Sequence, residues 1–401
     1  MRAFIGALCL AGVSLNWMAV AQENEQIPRL LLTPQRLRRL QRDRERQTVR
    51  WLNFEKRVQT VPDSPERGFE LALYYAVTHD DARGREAAAW ANAHPCNRRQ
   101  VSLIVDWASE LVGEALKSKL LNCLFVVTGP LPPIAVTARD VLFSTVVAGH
   151  IDTKQTEHDN RHVIDDLPNA LVNNPSDLYA AIEYLMTIRS VTRIDPRQQD
   201  GPFFSQLPKQ LLLSLKPEQI EHPDWMTHIA ALAYVALDPN LENSQFLQGW
   251  AMEDSQMLRE GPGTAYEFLW ADPYLPGIAY QNMDPWIYNA NGRLFARTDW
   301  EPNACWIQIN VKGMKEQGCS PNTRETSTFG TLTLSRVSSG CVNLPPQKRN
   351  ETAILWGLKP GAQLTLEKAN GNISANADPA GMWSVPNEVT GKVCVSKHDR
   401  R

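Results

Sequence analysis

The chain has 401 residues, 43% of them hydrophobic, and a formal net charge of −3 at pH 7. That length suggests two domains, and the small acidic balance argues against nucleic acid as the main partner. Beyond the N-terminal run no stretch is long and apolar enough to cross a bilayer, so no membrane span is expected.

The first element reads as a leader. Arg2 precedes an apolar run, and Ala19-Val20-Ala21 is a small-residue cleavage site. This pattern predicts a secretory signal peptide over 1–21, cut before Gln22, and a secreted or periplasmic protein. The mature chain keeps Cys96, Cys123, Cys305, Cys319, Cys341 and Cys394. An even count in an oxidising compartment permits disulfides, with the connectivity left open. No CxxC pair occurs, which argues against a zinc ribbon or a thioredoxin-type centre.

Helical signals then dominate from 22 to 271. Thr33-Pro34 supplies a cap and a first-turn proline before "QRLRRLQRDRERQ". The arginines of that segment, interleaved with Asp43 and Glu45, read as a solvated face. "GFELALYYAVTHD" and "ARGREAAAWANA" form an antiparallel hairpin, with His79, Asp80 and Asp81 at the turn. Further pairs follow: "VSLIVDWASELV" with "EALKSKLLNCLFVV", "TARDVLFSTVVAGH" with "SDLYAAIEYLMTIRSV", and "PDWMTHIAALAYVAL" with "SQFLQGWAMEDSQML". Paired helices without a strict repeat fit a ring or stack of hairpins better than a simple bundle.

The texture changes near residue 272. The stretch 272–292 is rich in proline and aromatic residues and reads as a linker. Short β-prone runs follow over 293–401, among them "ACWIQINVKG", "FGTLTLSRV", "TAILWGL" and "GKVCVSK". Their spacing predicts a small antiparallel β-sandwich. The expected fold class is α+β and multidomain.

Chemistry-bearing residues concentrate in "AGHIDTKQTEHDNRHVIDD", residues 148–166, and just after it. His150, His158 and His162 are candidate bases. Arg161, Asn173 and Asn174 are candidate carboxylate binders, and Tyr179 and Tyr184 candidate proton donors. His158 and His162 stand four apart, as in HExxH, with Asp159 replacing the glutamate and His150 or Asp166 as a third ligand. Two histidines at that spacing often occur without a metal, so no metal and no cofactor is expected. Aromatic residues crowd the region that follows, and Trp270, Tyr274 and Tyr280 are candidates for stacking on sugar rings. The competing reading makes them packing at a domain interface. No GxSxG or P-loop occurs.

"IPRLLLTPQRLRRLQ", "ELALYYAVTHDDARGREAAAWA" and "GRLFARTDWEPNACWIQI" carry a resemblance. The chain resembles the heparinase II/III-like and alginate-lyase-like polysaccharide lyases. That resemblance implies an incomplete α/α toroid followed by a β-sandwich, and a polysaccharide partner cleaved by β-elimination next to a uronate carboxylate. The chain departs from it in having no histidine between His228 and His398, where several such lyases supply one. The alternative is a non-catalytic glycan-binding or cell-envelope scaffold. A third reading, a metal-dependent hydrolase, rests on the histidine cluster. The sequence sets neither the substrate nor the oligomeric state.

Overall fold

The computed structural model describes residues 30–124, 133–149, 158–167, 174–289, 292–320, 326–337, 340–344, 350–366, 373–386 and 391–395. The segment expected to be a leader, His150 and Asn173 lie outside the described residues. The protein is α+β, with helices followed by small, mainly antiparallel sheets.

The helices are α1 (Pro34–Glu45), α2 (Val49–Thr60), α3 (Arg67–Thr78), α4 (Asp81–Ala93), α5 (Arg98–Trp107), α6 (Glu114–Leu124) and α7 (Ile134–Val147). Next come α8 (158–167), α9 (Pro175–Thr192), α10 (Gly201–Ser214) and α11 (Pro217–Glu221). The last are α12 (Trp225–Leu237), α13 (Glu242–Ala251) and α14 (Gly263–Trp270). The helix starts are chemically explicit. Thr33 Oγ1 accepts from the Arg36 amide at 3.2 Å, with Pro34 in the first turn. Asp80 and Asp224 cap α4 and α12 through their carboxylates. The α3–α4 turn passes through His79 in the left-handed region, at φ 55°.

Contacts divide the chain into two compact units. The first gathers α1–α6 with Asp140–Thr153 and Thr187–Ile194. Its centre is α3, buried from Arg67 to Val77 and packed against α1, α2, α4 and α5. Burying charged residues there requires partners. Glu70 is wholly buried and accepts from Arg57 Nε at 2.6 Å and Ser64 Oγ at 2.9 Å. Arg67 donates to the Val58 carbonyl and pairs with Glu86.

The second unit takes Pro130–Arg139, Lys154–Met186 and everything from Asp195 onward. It therefore joins α10–α14 to the strands, and the division does not fall at the composition shift near 272. The stretch read as a linker contributes strand β1 (Trp286–Asn289), paired antiparallel with β2 (Arg293–Arg297). Helix α13 is closely approached by this stretch: a Cβ on Gly249 would lie 2.0 Å from the Ile278 carbonyl oxygen. No side chain fits there.

Among the described residues the strands form three four-stranded sheets. The first is the meander β1–β2–β3–β4, with β3 Trp306–Asn310 and β4 Gly313–Gln317. The second has β11 (Trp383–Val385), β8 (Thr352–Trp356), β6 (Leu332–Arg336) and β5 (Thr326–Phe329) in that order. The third runs β10 (Ile373–Asn376), β9 (Gln363–Leu366), β12 (Gly391–Val395) and β7 (Cys341–Leu344). Among the described strands one pair, β6 with β8, is parallel, and the other pairs are antiparallel as expected.

The strands bury two separate apolar clusters. Side chains alternate across a strand. On β8, Ile354 and Trp356 join Leu294, Ala296, Ile307 and Ile309 of the first sheet in one core. Ala353 and Leu355 join Leu364 and Val393 of the third sheet in another. Strand β8, inside the second sheet, is thus buried on both faces, which explains its apolar run from Ala353 to Trp356. Cys305 bonds Cys319, and Cys341 bonds Cys394 across β7 and β12. Cys96 is also in a disulfide.

Candidate functional site

Helix α8 is amphipathic with a three- and four-residue step. Asn160, Val163, Ile164 and Leu167 are buried, whereas His158, Arg161 and His162 share the exposed face. The Nε2 atoms of His158 and His162 lie 3.1 Å apart, with the rings edge-on at 4.3 Å between centroids. Asp159 Oδ1 is 3.4 Å from His158 Nδ1. Among the described residues no group of three His, Cys, Asp or Glu side chains is arranged to hold a metal.

The two tyrosines face inward. Tyr179 is 3% exposed. Its hydroxyl donates to Glu183 Oε1 at 2.7 Å and accepts from Trp270 Nε1 at 2.9 Å. Arg139 on α7 pairs with the other oxygen of Glu183 at 3.1 Å. The result is a buried chain, Arg139–Glu183–Tyr179–Trp270, tying α7, α9 and α14 together. Tyr184 donates to Asn160 Oδ1 at 2.8 Å and so seats the buried side of α8 on α9. Burial, with the charge of Asp159, pushes the Tyr184 phenol well above the ordinary tyrosine range. A phenol held that strongly protonated and spent on a buried amide is a poor acid for a leaving group.

Of the candidate carboxylate binders, Arg161 is exposed, and Asn174 is half-buried and donates to Asp177 at 2.8 Å. Burial first, then the charge of Asp166, raises the Asp177 carboxyl. Of the candidate stacking residues, Trp270 is buried in the network just described. Tyr280 is buried edge-on to Trp300 at 5.1 Å. Tyr274 alone of the three is open, at 60% exposure.

Sequence reasoning did not single out Arg139, Glu183 or Arg297. Glu183 follows Tyr179 by four residues, a helical neighbour, and that spacing was the available signal. Arg297 on β2 is wholly buried, with its guanidinium 4.2 Å over the Trp300 ring. Burial lowers its pKa to about 10. A shallow, open groove runs along α1 and is lined by Gln35, Arg38, Gln41, Arg42 and Glu45.

The arrangement offers an exposed, nitrogen-rich face on α8 and a buried polar chain behind α9. No family model matches the chain, and no curated protein is significantly similar to it.

Proposed function

We propose that this is an exported glycan-binding protein that holds acidic, uronate-containing chains without cleaving them. The observation that carries this reading is the split in exposure between the candidate groups. His158 and Arg161 are open to solvent, while the Tyr179 phenol is buried and committed to Glu183 and Trp270. Elimination needs base, carboxylate binder and proton donor around one sugar. Binding needs only the exposed cation and an open aromatic face, as Arg161 and Tyr274 provide. The resemblance to polysaccharide lyases supports the substrate class, and the leader-like N-terminus supports export.

The test pairs two readouts on alginate, heparin, chondroitin and pectic uronates. Affinity electrophoresis is expected to show retardation by at least one of them, weakened several-fold by Arg161→Ala. Ultraviolet absorbance is expected to stay flat. A rising absorbance from a new conjugated double bond would restore the lyase reading, with Tyr179→Phe as its test. Retardation by none of the four glycans would remove the binding reading.

A further inference from the structure

We propose that His158 and His162 form a two-nitrogen chelate for a divalent transition-metal ion of the Cu(II) or Ni(II) class on the exposed face of α8. The proposal stands apart from the glycan reading and uses only the geometry of the two rings. Their Nε2 atoms are 3.1 Å apart. With metal–nitrogen bonds of about 2.0–2.1 Å, that separation closes an N–metal–N angle of roughly 95–100°. The angle is near the right angle of tetragonal and octahedral coordination. Imidazole ligands with tetragonal geometry favour Cu(II) and Ni(II).

The proton inventory is consistent. In the direct Nε2···Nε2 contact one nitrogen must donate and the other accept. On metal binding the donor ring moves its proton to Nδ1 and the two exposed rings turn about their side-chain bonds, so that both Nε2 lone pairs face the ion. For His158 an acceptor for that Nδ1 proton is within reach, Asp159 Oδ1 at 3.4 Å, the carboxylate–histidine–metal arrangement common around bound ions. No redox change is involved: one Nε2–H bond breaks and one Nδ1–H bond forms, with the proton carried by solvent. The remaining coordination positions take water, since the face is exposed and among the described residues no third ligand joins the pair. Affinity should therefore follow the intrinsic order for divalent ions, Cu(II) above Ni(II).

The sequence makes the test clean. No other two of the eight histidines stand four apart. The full, untagged chain is titrated calorimetrically with nickel chloride in a non-chelating buffer, and with Cu(II) while its visible absorption is followed. One Ni(II) per chain is expected, with binding at least tenfold weaker in His158→Ala and in His162→Ala. His94→Ala should bind as the parent does. The Cu(II) band should shift towards the position of nitrogen ligation in the parent and not in either variant. Far-ultraviolet circular dichroism checks that the exposed substitutions leave the helices intact. Absence of Ni(II) uptake, or uptake unchanged in both variants, overturns the proposal.

Discussion

Tyr179 shows how one side chain can serve two opposite readings. As a residue type it suits proton donation; in place, it is a buried link between Glu183 and Trp270. The consequence is energetic. Glu183→Gln leaves a buried Arg139 facing a neutral amide, and removing one charge of a buried pair costs about 3 kcal/mol. Tyr179→Phe removes a hydrogen bond to a charged group, which costs about 2 kcal/mol. Urea unfolding midpoints should fall in that order, with Glu183→Gln the lower. A midpoint for Tyr179→Phe equal to the parent would show that its hydroxyl is not structural. Helical spacing alone places Tyr179 and Glu183 on one face. Whether that face meets solvent or core depends on Trp270, 91 residues away, and no local pattern reports a partner at that distance.

At the scale of elements, local signals carried most of the helices. The Thr33-Pro34 start of α1 and the hairpin of α3 with α4 follow from capping, turn residues and apolar spacing, all of which act within a few residues. Helix α10 was not legible, because Pro208 inside it argues against a helix. Its buried face of Phe204, Leu207, Leu211 and Leu212 outweighs that cost. Strands β1, β4, β5, β7, β10 and β11 were also missed, being only three to five residues long. Such short strands persist through pairing, packing and cross-links. The Cys341–Cys394 bond closes 53 residues and the Cys305–Cys319 bond 14. Loop-closure entropy assigns them about 4 and about 3 kcal/mol. Replacing each pair by serine should therefore lower thermal stability, more for Cys341 and Cys394. Equal losses would mean that native packing, not chain entropy, dominates their effect.

For the molecule as a whole, pH is the informative variable. Burial pushes the Glu86 carboxyl up, but hydrogen bonds and charge from Arg67 and Arg83 outweigh it and hold it below its ordinary value of 4.5. A folded pKa below the unfolded one means the unfolded chain binds more protons in that interval. The contribution of Glu86 is thus present above pH 4.5 and lost as pH falls through the depressed folded value. Stability measured by denaturant titration should decline over that window, and Glu86→Gln should flatten this part of the decline. An unchanged pH profile in the variant would show that Arg67 and Arg83 do not hold the charge.

By itself the sequence determined the α+β class, the order of helices before strands and the Thr33-Pro34 start of the first helix. These are carried by spacing and capping among residues close in the chain. Tertiary structure alone decided the cysteine pairs, the burial of Tyr179, Trp270 and Arg297, the helix that brings His158, Arg161 and His162 onto one face, the parallel β6–β8 pair and the packing of β8 between two apolar clusters. Each of those depends on residues far apart in the chain meeting in a dense core. There the cost of burying a polar group is set by whichever partner the fold brings to it.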